Sequence, residues 1–372
     1  MRAPYRVAVW GPGDVGAICI REAIRLPELE VVGALAYSEA KIGRDIGTIV
    51  GVEPIGVLAT GNLEEFLALN CDVVLHTALD YPGAAVLDDY VSLLEAGKNV
   101  ITSHPYTNLK ARDPEFGARL TEAAERGGGT FYAGGANPDF AAHRLMMTLT
   151  AFSNDIKEIR IEEYFDCVQQ ANPGVLEVIG LGGDPAQSMD ENSAALWYQK
   201  QYWFQMIEHV ADEMGVELSR IEATAHSVAA PHRLESPILT IEAGRTGNVS
   251  YESIGYVGDK PFIRMKVGWY LTEAMRPEHV TASTQWIISI EGRPSSQTVM
   301  SVEPTFSNLD NMAGESGGPG YVGFAITLIQ AIPSVVAAPA GIKPTDIPPV
   351  HWRKDLRLAE TAASAGASLD AT

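Results

Sequence analysis

The chain has 372 residues, which is enough for two domains of ordinary size. Hydrophobic residues make up 46% and charged residues 20%, a composition typical of a folded globular protein. The net charge of −20 repels phosphate backbones and anionic lipids, so we expect neither a nucleic-acid nor a membrane partner. The three cysteines lie far apart with no CxxC spacing, which argues against a disulfide framework and fits a reducing cytoplasm.

Strand and helix patterns alternate through the first 150 residues. The predicted strands are Arg6–Trp10, Glu30–Tyr37, Asp72–Thr77, Asn99–Thr102 and Thr130–Ala133. The predicted helices between them are Ala17–Leu26, Leu63–Leu69, Ala84–Ala96 and Pro114–Arg126. Short apolar strands that alternate with helices predict an α/β fold, a Rossmann-type doubly wound parallel sheet, with binding residues in the loops at the carboxyl ends of its strands.

The pattern changes after about residue 150. A long alternating strand over Glu158–Val168 precedes an aromatic-rich helix over Ser193–Met214, and several strands follow between Ile221 and Glu303. This order predicts a second, α+β domain at 151–322, for substrate binding and oligomerisation, with an open and mainly antiparallel sheet. We expect the final helix, within 323–350, to complete the first domain (1–150), and residues 360–372 to be a disordered tail.

A glycine turn follows the first strand and opens the first helix. It consists of Gly11, Pro12, Gly13, Asp14, Val15 and Gly16. In this pattern the first glycine permits a tight turn, the second lets a pyrophosphate approach the backbone, and the third lets helix and strand pack closely. The turn therefore predicts a dinucleotide site, and the alternative is a glycine-rich turn without a ligand.

Residues after the second strand bear on the choice of cofactor. NAD-binding proteins usually place Asp or Glu there to hold the ribose 2′-hydroxyl. Here Ser38 is followed by Lys41 and Arg44, which suit a 2′-phosphate, so we expect a preference for NADP(H). Glu39 keeps NAD(H) as an alternative, and the two cations can also be read as a solvated loop.

The ends of the third and fourth strands are expected to border the nicotinamide. The residues predicted to contact the cofactor there are His76, Thr77, Ala78, Thr102 and Ser103.

Five segments along the chain carry a family resemblance. They are GPGDVG (11–16), KIGRDIGTIVG (41–51), GKNVITS (97–103), GGANPDF (134–140) and AIPSVVAAPAGIKPTDIPPV (331–350). With these motifs the chain resembles the dihydrodipicolinate reductase-like proteins, and within them the 2,4-diaminopentanoate dehydrogenase and amine dehydrogenase branch. The resemblance implies NAD(P)H-dependent reduction of a carbonyl or imine by a homodimer.

The chain departs from that branch directly after the fourth strand. In amine dehydrogenases of the branch, an acidic residue at this place activates ammonia, whereas this chain reads Ser103-His104-Pro105-Tyr106-Thr107-Asn108. The paired histidine and lysine of dihydrodipicolinate reductase are also absent from the second domain. Use of ammonia therefore stays open, and diaminopimelate biosynthesis is not expected.

The candidate catalytic residues are His104 and Tyr106, as proton donors, and Asn137, which could orient the substrate or the nicotinamide amide. Each has a purely structural alternative, as a loop, packing or turn residue. The candidate substrate contacts are Asp139, Tyr164, Trp197 and Trp203. For Tyr164 the alternative is a solvated strand face, and for the two tryptophans it is a core or a dimer interface. No histidine pair has ligand spacing, so we expect no metal.

The leading hypothesis is a cytoplasmic NAD(P)H-dependent oxidoreductase that transfers hydride between nicotinamide and a small ketone, imine or amine. One alternative is a ketone/alcohol dehydrogenase that does not use ammonia. Another is a dinucleotide-binding protein that lost its catalytic carboxylate, and a third is a lyase that uses bound NAD transiently.

Overall fold

The computed structural model describes residues 3–80, 86–109, 113–169, 173–187, 193–307 and 317–347, with Leu309, Met312 and Glu315. The predicted tail at 360–372 and the first two residues of the predicted helix Ala84–Ala96 lie outside these residues. The chain divides into two compact units. The first comprises residues up to Phe140 and Pro304–Thr345, and the second contains Ala141–Glu303. The division thus falls ten residues before the predicted boundary at 150.

A seven-stranded parallel sheet forms the centre of the first unit. Its strands are β1 (Tyr5–Trp10), β2 (Leu29–Leu35), β3 (Ala59–Thr60), β4 (Val73–His76), β5 (Asn99–Thr102), β6 (Thr130–Ala133) and β15 (Gly341–Ile342). Their order is β15-β6-β5-β4-β1-β2-β3. In register, His76 at the end of β4 lies beside both Trp10 and Thr102. The predicted Rossmann-type sheet is confirmed, and the two-residue strands β3 and β15 extend it at both edges.

The helices of this unit begin and end at recognisable signals. They are α1 (Asp14–Arg25), α2 (Ile46–Ile49), α3 (Leu63–Leu67), α4 (Val86–Glu95), α5 (Pro114–Gly127) and, near the C-terminus, α8 (Pro319–Val336). At the start of α5 the Asp113 side chain accepts the N–H of Glu115, and Pro114 occupies the first turn. Gly128, with φ of 80°, ends that helix in the left-handed conformation that glycine favours.

Helix α8 packs on α1, β5 and β6 within the first unit. Among the described residues it alone is long and apolar enough, by length and composition, to span a membrane. Its Ala325, Leu328 and Ile332 are fully buried in a core cluster that also contains Val7, Ile18 and other β1 and α1 residues. Burial of this stripe accounts for the apolar composition of α8.

The second unit is built on a six-stranded sheet. Its strands are β7 (Asn154–Asp166), β8 (Arg220–Ala229), β11 (Thr246–Val257), β12 (Lys260–Tyr270), β13 (Thr284–Arg293) and β14 (Ser296–Val302). Their order is β14-β13-β7-β12-β11-β8, and a separate small hairpin joins β9 (Leu234–Glu235) to β10 (Thr240–Ile241). The sheet is mainly antiparallel, as expected, except that β12 pairs with β7 in parallel. A connection of nearly a hundred residues separates these two strands, so short-range patterns do not reveal their pairing.

Helical segments complete the second unit. An irregular π-helical stretch over Ala136–Met146 crosses the division between the units, and short helical turns follow at Met147–Leu149 and Thr150–Phe152. Farther along lie the α-helices α6 (Pro173–Val178) and α7 (Ala194–Met214). Helix α7 packs on β8, β11 and β12.

Two histidine rings, of which His143 is fully buried, are paired in the second unit. The rings of His143 and His209 have centroids 4.4 Å apart. Both nitrogens of His143 and Nε2 of His209 are buried with no hydrogen-bond partner. Burial lowers the pKa of both imidazoles, and for His143 the neighbouring ring lowers it further. The pair is therefore held neutral in the folded chain.

The pair should make folding stability pH-dependent. Unfolded histidines bind protons below pH about 6.5, which the folded pair resists, so the free energy of unfolding should fall as pH drops through that value. The variant His143→Leu should weaken this fall, because only one neutral histidine remains. Urea unfolding at neutral and mildly acidic pH measures it, with the exposed His232→Asn as control. An unchanged pH dependence in His143→Leu would contradict the interpretation.

Candidate active site

The glycine turn has the geometry of a dinucleotide-binding turn. Gly11 has φ of 87°, and a Cβ there would lie 2.7 Å from the backbone nitrogen of Ala78. A Cβ on Gly16 would lie 2.3 Å from the Gly11 carbonyl oxygen and 2.6 Å from Thr77 Oγ1. The first and third glycines are therefore required by close packing at the end of β4. Thr77 Oγ1 supports the turn by donating to the Gly11 carbonyl at 2.7 Å.

The second glycine differs from its neighbours. A Cβ on Gly13 would meet nothing within 4 Å, and its φ of −83° is open to any residue. Gly13 is also the N-cap of α1, and no side chain caps that helix end. The free space beside uncapped N–H groups at the positive end of a 12-residue helix fits a pyrophosphate. Pro12, Asp14 and Val15 complete this turn, as predicted from the sequence.

The three residues predicted to contact a ribose 2′-phosphate lie in the loop after β2. Lys41 Nζ donates to the Pro12 carbonyl oxygen at 2.6 Å, which places this cation directly against the glycine turn. Ser38 is exposed, and its carbonyl oxygen accepts the N–H groups of Lys41 and Ile42. Arg44 is also exposed, and its guanidinium donates to the Ala40 carbonyl oxygen of the same loop at 3.4 Å. Of the two cations, Lys41 is therefore the one that lies against the glycine turn.

A partly buried hydrogen-bond network holds His104 just beyond the end of β5. Tyr90, from α4, brings its hydroxyl within 2.8 Å of Thr102 Oγ1 and 2.7 Å of His104 Nδ1. The backbone N–H of His104 donates to Thr102 Oγ1 at 3.1 Å. Burial is the main cause that raises the pKa of Tyr90 well above its ordinary value, so the hydroxyl of this residue stays protonated. Sequence reasoning missed Tyr90, because its place in an apolar helix stripe is typical of a core residue.

His76 lies beneath this network. It is fully buried, and its ring packs against Trp10, Tyr90 and His104. Its Nε2 lies 3.3 Å from Asp89 Oδ2. His76 therefore lies beneath the strand ends and supports them. Thr77, Ala78 and Ser103 are half-buried at the carboxyl ends of β4 and β5. The Ser103 N–H donates to the His76 carbonyl oxygen at 3.0 Å and joins the two strand ends.

Tyr106 lies beside His104 and is bonded to a carboxylate from another loop. The rings of His104 and Tyr106 have centroids 5.8 Å apart. The Tyr106 hydroxyl donates a hydrogen bond to Asp80 Oδ2. Asp80 follows β4 and was not among the predicted site residues, because nothing in the segment His76-Thr77-Ala78-Leu79-Asp80 indicates a contact with Tyr106.

The GGANPDF segment follows β6 at the same edge. Asn137 is half-buried in extended conformation, with φ of −149°. Asp139 is fully buried, and its Oδ1 accepts the hydroxyls of Tyr132 at 2.6 Å and Thr345 at 3.1 Å. These bonds tie the turn to β6 and to the segment after β15. Asp139 therefore anchors the turn in the folded chain, and its predicted contact with the substrate stays a prediction.

The other predicted substrate contacts lie in the second unit. Tyr164 is buried, its hydroxyl donates to Glu162 Oε2 at 2.5 Å, and His279 Nε2 lies 2.9 Å from the same hydroxyl. Trp197 and Trp203 are half-buried on α7, and the buried stripe of that helix runs through neighbouring positions. The stripe consists of Leu196, Gln199, Tyr202, Met206, Ile207 and Val210. Among the described residues, no three His, Cys, Asp or Glu side chains gather as a metal site.

The fold and the glycine turn together define a Rossmann-type oxidoreductase that depends on a nicotinamide dinucleotide. Residues 5–103 match the dihydrodipicolinate reductase N-terminal family, and residues 140–357 match the 2,4-diaminopentanoate dehydrogenase C-terminal domain. The second match covers more than half of the chain, which therefore belongs to the 2,4-diaminopentanoate dehydrogenase family. The resemblance predicted from the five sequence motifs is confirmed.

Individual proteins are similar to the chain in sequence or in fold. The chain is 27% identical to an amine dehydrogenase from Streptomyces virginiae over 351 residues, which are 90% of this chain and 93% of that protein. A solved amine dehydrogenase from Mycobacterium smegmatis has the same fold, with a TM-score of 0.77, 18% identity and coverage of 95% and 99%. The scyllo-inositol dehydrogenase from Lactobacillus casei, solved with NAD(H) and scyllo-inositol, is more distant in fold. Its TM-score is 0.52 at 14% identity, covering 89% of each chain.

Proposed function

We propose that the chain reduces a small ketone or imine, or oxidises the corresponding amine, with His104 as the group that moves the proton. The observation that carries the proposal is the network of Tyr90, Thr102 and His104 at the strand ends next to the glycine turn. The nicotinamide, when bound, supplies or accepts the hydride. Asn137 is proposed to orient the substrate or the nicotinamide amide, at the end of the neighbouring strand β6.

The network explains how one histidine serves both directions of the reaction. When both ring nitrogens of His104 carry a proton, Nδ1 donates to the Tyr90 hydroxyl, Tyr90 donates to Thr102, and Nε2 can give its proton to the oxygen or nitrogen of the substrate. The ring is then neutral with its remaining proton on Nδ1, so Nε2 is the base that takes a proton back during oxidation. Neither hydroxyl changes its charge in either direction.

We propose NADP(H) as the preferred cofactor, with NAD(H) as the alternative. The position of Lys41 against Pro12 supports this preference, because a cation there can pair with a 2′-phosphate. Thr77, Ala78, Thr102 and Ser103 are proposed to border the nicotinamide end, with His76 as support beneath them.

The variant Lys41→Ala should discriminate between the two cofactors. Loss of one charge-assisted hydrogen bond should raise the Kd for NADPH about tenfold and leave the Kd for NADH nearly unchanged. Cofactor fluorescence titration measures both values, with the exposed Lys157→Ala as control. Equal weakening of both cofactors would mean that Lys41 serves only to hold the glycine turn.

The function is tested by following NADPH and NADH oxidation against a panel of small ketones and preformed imines, with and without ammonium chloride. Turnover of any of them supports the proposal. Turnover of ketones that ammonium does not change would favour a ketone/alcohol dehydrogenase instead. Cofactor binding without turnover on the whole panel would favour a non-catalytic dinucleotide-binding protein.

We also propose a soluble homodimer in the cytoplasm. The dimer is what the resemblance to the amine dehydrogenase branch implies, and the sparse cysteines support a reducing compartment. Trp197, Trp203 and Tyr164 are proposed to contact the substrate or the partner subunit. Light scattering coupled to gel filtration measures the mass directly, and a 40.0 kDa species would contradict the dimer.

A further inference from the structure

The paired rings of His143 and His209 are not among the residues of the candidate active site. His143 belongs to the π-helical stretch and His209 to α7. Among the described residues, neither nitrogen of His143 nor Nε2 of His209 has a hydrogen-bond partner. A buried imidazole without a partner is costly, and in proteins such a group often binds an ion or a water molecule. The pair is therefore a candidate binding site.

The spacing of the two rings fits two ligands of one metal ion. Imidazole nitrogens bind metals at about 2.0–2.1 Å, so rings on opposite sides of an ion hold their centroids about 6 Å apart. Rings that are neighbours around an ion bring their centroids to about 4.5–5 Å. The observed separation of 4.4 Å, with the rings inclined by 54°, is close to the second arrangement. The two histidines can therefore supply two adjacent coordination positions.

A buried methionine accompanies each histidine at helical spacing. Met147 lies four residues after His143, and Met206 lies three residues before His209. Residues three or four apart lie on the same side of a helix, and both methionines are fully buried. The thioether sulfur of methionine is a soft and uncharged ligand. Imidazole and thioether donors are thus placed together where the two histidine rings meet.

The charges at the pair favour a cation of low charge. Burial lowers the pKa of both imidazoles, which keeps them in the neutral form that binds metals. The carboxylates of Glu213 and Asp212 oppose this effect at His209, because they favour positive charge at its ring. The same carboxylates would favour a bound cation. Because the cost of burying an ion rises steeply with its charge, a monovalent ion suits this place better than a divalent one.

We infer that His143 and His209, with Met147 and Met206, form a binding site for one soft monovalent cation, Cu(I). Thioether ligands select Cu(I), whereas protein sites for Zn²⁺ use thiolate, imidazole and carboxylate groups. His209 is half-buried, which gives the ion a path from the surface.

The sequence predicted no metal, because the two histidines come from segments that are distant in the chain. Within the part of the chain that the structure describes, His, Cys, Asp and Glu alone form no group of three that could hold a metal. The methionine sulfurs complete the set of ligands. The bound ion would join the π-helical stretch to α7.

The experiment measures Cu(I) binding by the full chain carrying Cys71→Ser, which removes the half-exposed thiol as a competing ligand. Under anaerobic conditions, competition with a chromogenic Cu(I) chelator should show one bound equivalent. In this background, His143→Leu and His209→Asn should each raise the Kd for Cu(I) at least about a hundredfold. The matched control is His226→Asn, an exposed histidine of the same unit, which should bind Cu(I) as before. Circular dichroism checks that each variant is folded.

X-ray absorption at the copper edge identifies the ligands without any change at the histidines. The spectrum of the Cys71→Ser chain should show imidazole nitrogens at about 2.0 Å together with sulfur. Because that chain keeps both histidines and both methionines, this result does not depend on how well the histidine variants fold. The Kd for Zn²⁺ should be at least about a hundredfold higher than the Kd for Cu(I).

Several results would overturn the inference. If the Cys71→Ser chain binds no Cu(I), the histidine pair is not a metal site. Binding that His143→Leu and His209→Asn leave unchanged places the ion elsewhere. A spectrum without sulfur, or Zn²⁺ binding as tight as that of Cu(I), contradicts a site for a soft cation. None of these results bears on the proposed function, because the measurements do not use turnover.

Discussion

The variant Gly13→Glu should fold normally and fail to bind either nicotinamide cofactor. A Cβ at this position meets no atom within 4 Å, and the φ of Gly13 lies outside the left-handed region, so the folded chain should accept the side chain. The glutamate would occupy the space before the N-terminus of α1 and repel the pyrophosphate. We expect the Kd for NADPH and NADH to rise by at least about a hundredfold, with a thermal midpoint close to that of wild type.

A second glycine provides the matched control for this prediction. In Gly16→Ala the new Cβ would lie 2.3 Å from the Gly11 carbonyl oxygen, so the turn itself must move. That variant should lose both thermal stability and cofactor affinity. Fluorescence titration and calorimetry on the two variants therefore separate space reserved for a ligand from space needed for packing. Tight cofactor binding by Gly13→Glu would contradict the assignment of this turn.

The second large effect is expected for His104→Asn. The asparagine can still accept a hydrogen bond from Tyr90 but cannot exchange a proton, so kcat should fall by about a hundred- to a thousandfold. The Kd for the cofactor should change little, because His104 is not part of the glycine turn. Steady-state kinetics and fluorescence titration measure the two quantities.

Two further variants sharpen this result. Tyr90→Phe removes the partner of His104 Nδ1 and should lower kcat by about tenfold while shifting its pH profile, since Tyr90 acts only through His104. The exposed His226→Asn in the second unit should behave as wild type. Near-normal kcat in His104→Asn would remove this residue from the reaction.

Local patterns predicted much of the first unit. Strands β5 and β6 were predicted at their observed bounds, because four-residue apolar runs bounded by Gly97 and by Gly127–Gly129 leave little freedom in their placement. The glycine turn was equally accessible, since its function depends on residues adjacent in sequence. The mainly antiparallel sheet of the second unit was predicted. The parallel pairing of β7 with β12 was not, because it depends on contacts across most of that unit.

The candidate site was only partly predictable for the same reason. His104 and Tyr106 were found because they follow a recognisable strand, and both lie in the network at the strand ends. Tyr90 and Asp80 were missed, because their roles arise from contacts between α4, β5 and the loop after β4. Asp139 was predicted as a substrate contact, and its hydrogen bonds to Tyr132 and Thr345 were not predicted. Tyr132 lies on the other side of a turn and Thr345 is distant in the chain, so local patterns do not indicate these bonds.

Direct hydride transfer is the central claim, and isotope transfer tests it most directly. Wild type is incubated with the ketone or imine of the panel that it reduces fastest, with ammonium chloride where turnover requires it, and with NADPH that carries deuterium at C4 of the nicotinamide, on one face at a time. We predict a product with one deuterium on the reduced carbon, from one of the two labelled cofactors only. A reduced product without deuterium from either cofactor, or no reduction of any compound of the panel although the cofactor binds, would contradict the account.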